Sequence, residues 1–427
     1  MSLYWKIKII KKIGHLIHDF RTAVHVLASP AQVDNGQGGI IIQAYRGYGT
    51  FNEFYLMGRV FKQTGYGSSI LAGTFRRDLV DVARRLFRLG VPDVVVTARF
   101  GDAMHHTMTD RHGYFVVHMQ LKDQVLRENR WYTVNLELNH SRNELRTTGA
   151  FYVPPQSARY VVISDIDDTV VFTGITNKAA MLMRLFLHGV ESKVAFPGVA
   201  ALYRALHHGV SGQELNPMLY VSRGPWSIYE ILDKFFNLHH IPEGPVLFLR
   251  EWGMSTKRPF PSRGRGHKLK LIRRMLAIYK DLPFILIGDS GQRDPEIYAR
   301  IVRENPGRVL AIYIRNVHPD PERQEDIQDL AKEVIAAGSS LILAADSFAM
   351  AEHAAQHNFI SPEALAEVFR ERKEQAGEVE LQPVRKIGET TPQKTREAIE
   401  HGAIEKTLQK VDETGSPPNV VVKSEDR

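Results

Sequence analysis

The stretch Val161-Val-Ile-Ser-Asp165-Ile-Asp167-Asp168-Thr169-Val-Val runs an apolar strand straight into three carboxylates within four positions. Burying one carboxylate costs free energy, and crowding three raises the cost unless a cation neutralises them. One aspartate at the end of a strand is ordinary, but this trio at the mouth of a sheet asks for chemistry. Asp165 and Asp167 flank Ile166, so on an extended chain both point the same way. One can attack an electrophile while the other handles the proton of the leaving group. Their like charges push the two pKa values apart, which helps keep one of them protonated. Asp168 faces elsewhere and takes no role.

A second apolar strand ends in the same style, in Phe284-Ile-Leu-Ile-Gly288-Asp289-Ser-Gly-Gln-Arg-Asp294-Pro-Glu. Carboxylates from several strand ends are hard oxygen ligands of the kind that suit Mg2+, which takes a few of them and keeps waters. Asp294-Pro295 also reads as a helix N-cap followed by proline at the first helical position, so for Asp294 capping and ligation both stand. Met218-Leu-Tyr-Val-Ser222-Arg223-Gly224-Pro225 sets a hydroxyl and a guanidinium at a strand-to-helix junction, where backbone amides and the helix dipole favour a phosphate. Ser222 on its own is equally readable as a plain N-cap. Residues 257–270 are basic, and Lys268 opens the next helix, well placed to neutralise charge that develops in phosphoryl transfer. The other cations there read as a solvated loop able to face an anionic surface.

Working outward, residues 156–375 alternate strand and helix: strands over 160–164, 218–221, 246–249, 284–287, 309–314 and 340–344, with helices over 197–207, 225–239, 267–279, 295–304 and 348–357. Such alternation predicts an α/β fold, a parallel sheet with helices on both faces and ligands outside the carboxyl ends of the strands. Residues 36–155 are different. Runs at 39–45, 54–61, 93–100, 114–120 and 131–138 are rich in β-branched and aromatic residues, residues 109–113 read as a turn, and one helix is expected over 78–89. This spacing suggests a small β-sandwich domain. Residues 1–35 form a basic amphipathic segment, readable as an interfacial helix or as a helix packed on its own protein. Residues 376–427 are charged, poor in large apolar side chains and expected to be a disordered tail.

In chain order, Asp165/Asp167/Thr169, Ser222, Lys268 and Asp289/Asp294 resemble the motifs of the haloacid-dehalogenase superfamily. The finer wording at 163–170, Thr173-Gly174, 222–225, His267-Lys268 and 287–291 is similar to phosphatidate phosphatases of the actin-patch-associated type, distant relatives of the lipins. Segments 45–50, 58–60 and 109–115 match that group in style, and the resemblance covers about residues 40–360. It implies Mg2+-dependent release of phosphate from phosphatidate, leaving diacylglycerol. It also implies Asp165 as nucleophile, Asp167 as acid and base, Lys268 as a catalytic cation, and Thr169, Ser222 and Arg223 on the substrate phosphate. The metal set it implies is Asp165, Asp167, Asp289 and Asp294.

Composition sets bounds on this reading. The 427 residues include no cysteine, which excludes disulfides and thiolate chemistry, and a formal charge of +7 suits an anionic partner without the density that marks nucleic-acid binding. Cytoplasmic residence with peripheral contact to an anionic membrane is the expectation; no secretory signal and no membrane-spanning run is read. Two rivals stand beside the lipid phosphatase. A phosphatase for soluble phosphomonoesters would share the chemistry, although the short, apolar stretch 172–196 leaves an open site that suits a large substrate. A phosphatidate-binding module without catalysis would be expected to lack Asp167.

Overall fold

The computed structural model of this chain describes residues 39–62, 89–121, 131–140, 143–166, 196–222, 226, 229–248, 266–317 and 320–380. The amphipathic segment, the helix expected over 78–89 apart from its last residue, the stretch 172–195 and the tail beyond 380 lie outside them.

Strand β1 (Ile40–Ala44), β2 (Gly47–Gly49), β3 (Glu53–Lys62), β4 (Val95–Phe100), β5 (Ala103–Met108), β6 (Tyr114–Gln120), β7 (Trp131–His140) and β8 (Asn143–Tyr152) make one eight-stranded sheet. Its hydrogen-bonded path is β1-β3-β2-β8-β7-β4-β5, with β6 on β3. The pairing is antiparallel except where β2 meets β8. The eight strands are hydrogen-bonded into one connected sheet, whose strands turn Val60, Val96, Phe115, Leu136 and Phe151 into a common core. The expected turn at 109–113 links β5 to β6. Asp110 Oδ1 accepts from the His112 and Tyr114 backbone amides, and Gly113 takes a φ of 81°, which a glycine tolerates freely.

The second half holds a six-stranded, wholly parallel sheet of order β11-β10-β9-β12-β13-β14. These are β9 (Val161–Asp165), β10 (Met218–Ser222), β11 (Val246–Phe248), β12 (Phe284–Asp289), β13 (Val309–Arg315) and β14 (Ser340–Ala344). Helices α1 (Val199–His208), α2 (Tyr229–Leu238), α3 (His267–Ile278), α4 (Asp294–Glu304), α5 (Pro321–Ala336), α6 (Ser347–Gln356) and α7 (Pro362–Glu380) alternate with the strands or follow them. Both faces of the sheet are covered, so β9, β10 and β12 are buried along their whole lengths. Alternate residues of β9 feed different cores, Val162 on one face and Val161 and Ile163 on the other. The chain leaves β9 toward β10 and β11 on one side, then returns to lay β12, β13 and β14 on the other. This order places the topological switch between β9 and β12, where open α/β sheets bind ligands at the strands' carboxyl ends.

The two halves share their cores. Tyr45 and Tyr114 from the first half belong to the cluster under α1 and α2, and Tyr48 to the cluster under α3 and α4. Tyr45 stacks on Trp226 with centroids 4.4 Å apart, a pairing worth about 0.5–1.5 kcal/mol beyond its buried area. Among the described residues no helix is long and apolar enough to cross a membrane.

Candidate active site

The strand order brings the carboxyl ends of β9 and β12 side by side, and each delivers an aspartate there. Asp165 ends β9 and Asp289 ends β12, both fully buried. Asp294, the first residue of α4, turns its carboxylate toward the same point. One ligand atom from each of the three lies within 4.8 Å of the other two. Gly288 makes this approach possible, because a Cβ there would run into the Asp294 carboxylate. The N-cap position of α4 belongs to Arg293, which leaves Asp294 to the cluster rather than to capping.

Lys268 enters from the first turn of α3 and is 3% exposed. Its Nζ lies 2.6 Å from Asp294 Oδ1 and 2.9 Å from Asp165 Oδ1. Burial by itself pulls this ammonium's pKa down, but Asp165 and Asp294 outweigh it and hold the group well above the ordinary lysine range. When all three carboxylates are ionised, one ammonium leaves two negative charges uncompensated in the cluster. A buried imbalance of that sign, lined by hard oxygen donors, matches what a small divalent cation supplies.

Ser222 is buried at the end of β10, whose Val221 is in register with Asp165. The described part of helix α2 begins at Tyr229. Asp165, Ser222, Lys268, Asp289 and Asp294 therefore gather at one end of one sheet. Asp167, Thr169 and Arg223, also expected here, lie outside the described residues.

The sequence reading passed over several neighbours. Gln292 Nε2 donates to Asp165 Oδ2 at 3.1 Å and to Asp289 Oδ2 at 2.6 Å, bridging the two strand ends. Its loop is gripped by Arg323 of α5, which donates to the Ser290 and Gln292 carbonyls at 3.0 and 2.8 Å and pairs with Glu296 at 2.7 Å. Beneath Asp165, Ser164 Oγ donates to the Asp165 carbonyl at 2.9 Å and lies 2.5 Å from the Tyr203 hydroxyl. Arg315, buried at the end of β13, donates to Ser347 Oγ at 2.8 Å and sits over the Phe196 ring; burial lowers its pKa to about 10. The run from Ser290 to Asp294 was the available signal for Gln292. Nothing local marks Arg323, because its partners are 27 to 33 residues away.

The family described as Phosphatidate phosphatase APP1, catalytic domain, matches residues 160–316. That span runs from the threshold of β9 to just past β13 and takes in every described site residue except Arg323 and Ser347. Residues 160–316 are thus similar to this catalytic domain. The curated phosphatidate phosphatase APP1 of Saccharomyces cerevisiae is 30% identical over 194 residues, 44% of this chain and 32% of that protein. An uncharacterized protein of Schizosaccharomyces pombe is 28% identical over 225 residues, 51% of this chain and 35% of its own. The chain thus spans about a third of the length of the curated relatives it matches. Among solved structures, a Parabacteroides merdae beta-glucuronidase aligns over 69% of this chain and 40% of its own at 11% identity; its TM-score of 0.22 carries no argument about fold. The matched span covers the α/β half from β9 to β13, while residues 39–159 and the elements from α5 onward lie outside it.

Proposed function

We propose that this chain is a Mg2+-dependent phosphatidate phosphatase built on a haloacid-dehalogenase-like α/β domain. The observation that carries the reading is the gathering of Asp165, Asp289 and Asp294 around Lys268 at the switch point of the sheet. The family match of residues 160–316 supports phosphatidate as substrate.

In this reading Asp165 attacks phosphorus in line. The bond from phosphorus to the leaving alkoxide breaks, an aspartyl-phosphate forms, and Asp167 gives the departing oxygen its proton. Asp167 then takes a proton from water as that water attacks phosphorus, which frees inorganic phosphate and restores the Asp165 carboxylate. Lys268 holds Asp165 in place and meets the charge that gathers on the phosphoryl oxygens. Ser222, Arg223 and Thr169 hold those oxygens. Asp165, Asp289 and Asp294, with Asp167, would hold Mg2+, which when bound withdraws charge from the phosphoryl group and relieves repulsion among the carboxylates. The substrate sits in a bilayer, so the chain would meet an anionic membrane peripherally.

A substrate panel tests this. Purified protein with Mg2+ should release phosphate from phosphatidate in mixed micelles faster than from soluble phosphomonoesters. Turnover confined to the soluble esters would keep the chemistry and overturn the lipid. Binding of phosphatidate without turnover would overturn the enzyme.

A further inference from the structure

Trp226 stands four residues beyond Ser222, on the connection from β10 to α2, and is 5% exposed. Its cover comes from the other half of the chain. Tyr45 stacks on it at 4.4 Å with 28° between the planes, and Tyr114 approaches it at 6.4 Å. The first turn of α2 is held from the same side. The Arg46 backbone amide donates to the Tyr229 hydroxyl at 3.0 Å, and Gln43 Nε2 donates to Glu230 Oε1 at 2.8 Å. The Arg46 guanidinium pairs with Asp233 and, at 2.9 Å, with Glu243. In a parallel sheet the helix that follows a strand begins at the strand's carboxyl end, so this first turn lies on the side of the site, where a helix N-terminus attracts phosphate.

We propose that the β half is a working part of the catalytic unit, with Tyr45 as a positioning residue for the phosphate-binding end of β10. By holding Trp226 and the first turn of α2, it fixes the helix that follows Ser222 and so where a bound phosphate is met. The inference rests on the reading above, in which Ser222 binds the phosphoryl group. The docking surface comes from outside residues 160–316, so the matched catalytic domain alone is incomplete.

The test uses the full chain with Mg2+ and inorganic phosphate as the probe, with calorimetric Kd measured beside the KM for an ester that the wild type turns over. Tyr45→Ala should weaken phosphate binding and raise KM by about tenfold, equivalent to about 1.4 kcal/mol, while Tyr45→Phe, which keeps the ring, should stay within about twofold of wild type. Tyr55→Ala removes a contact with Arg274 elsewhere on the same interface. It should lower the melting temperature and leave phosphate Kd unchanged. If Tyr45→Ala does not fold, Tyr45→Leu takes its place, since it keeps bulk without the aromatic face. A Tyr45 variant that melts earlier but binds phosphate as tightly as wild type would reduce the contact to a structural one and overturn the proposal. A wild type that binds no phosphate and turns over no ester would instead overturn the reading of the site itself.

Discussion

Lys268 Nζ lies 2.9 Å from Asp165 Oδ1, and neither side chain is more than 3% exposed. Asp294 shares the same lysine at 2.6 Å. Removing one member of a buried ion cluster leaves the rest uncompensated, typically at a cost of about 3–5 kcal/mol. Lys268→Met should therefore lower unfolding free energy by that order in denaturant titrations and also abolish turnover. A Lys268→Met protein as stable as wild type would show that the carboxylates do not depend on this lysine for neutralisation.

Gln292 is half-buried and donates to both Asp165 and Asp289, so its loss should show in rate more than in fold. Misplacing a reacting group by a fraction of an ångström to about 1 Å is enough to cost roughly tenfold to a hundredfold. Gln292→Ala is expected to lose kcat by that order while unfolding free energy changes by about 1 kcal/mol or less. The paired measurement is steady-state kinetics beside thermal melting. Unchanged kcat would remove Gln292 from the site.

The lessons of the sequence divide along the range of the interactions. Every strand of the parallel sheet and five of its helices are read within a few residues, because long apolar runs and helical spacing are local signals. Helices α5 and α7 are missed, since their exposed faces leave only a thin apolar stripe, with Ile327 and Val334 buried in α5 and Val368 in α7. The three-residue β2 is too short to show as a run, and strands β5 and β8 are missed for a reason related to that of the helices. Half of Asn143–Tyr152 is polar and the strand holds its shape by pairing with β7 along its length, while β5, at the sheet edge, has no buried residue to mark it. In the site, Asp165, Ser222 and Asp289 were legible because each ends an apolar run, and Lys268 and Asp294 because each opens a helix. Arg323 and Tyr45 were not, because what they do depends on partners far away in the chain.

The charge imbalance of the cluster makes a prediction about stability that needs no substrate. A cation that binds the folded chain alone stabilises it by about 2.7 kcal/mol at a hundred times its Kd. Mg2+ should raise the melting temperature relative to EDTA in wild type, and Asp289→Asn should shrink the difference. Identical melting curves in Mg2+ and EDTA would contradict the assignment of the cluster as a cation site.

Away from the site, His353 is a half-buried base. Burial, with the neighbouring His357 second, lowers its pKa to about 4, and its Nδ1 lies 3.0 Å from the Tyr313 hydroxyl. An unfolded histidine titrates near ~6.5, so between that pH and about 4 the unfolded state takes up a proton that the folded state refuses. Stability therefore falls on acidification through this window and owes nothing to His353 above it. Allowing for solvent screening of a group that is not fully enclosed, the loss is on the order of 2 kcal/mol. His353→Gln should flatten the stability profile between pH 6.5 and 4, measured by denaturant unfolding at each pH. Parallel profiles for the two proteins would contradict a His353 held neutral in the folded chain.

The most direct test of the account is phosphate release from phosphatidate micelles in Mg2+ by wild type and by Asp165→Asn, with folding of both checked by melting. The account predicts steady release by wild type and none above background by a folded Asp165→Asn. Release by the variant at a rate near that of wild type, with conversion of the amide back to aspartate excluded by mass, would contradict Asp165 as the nucleophile.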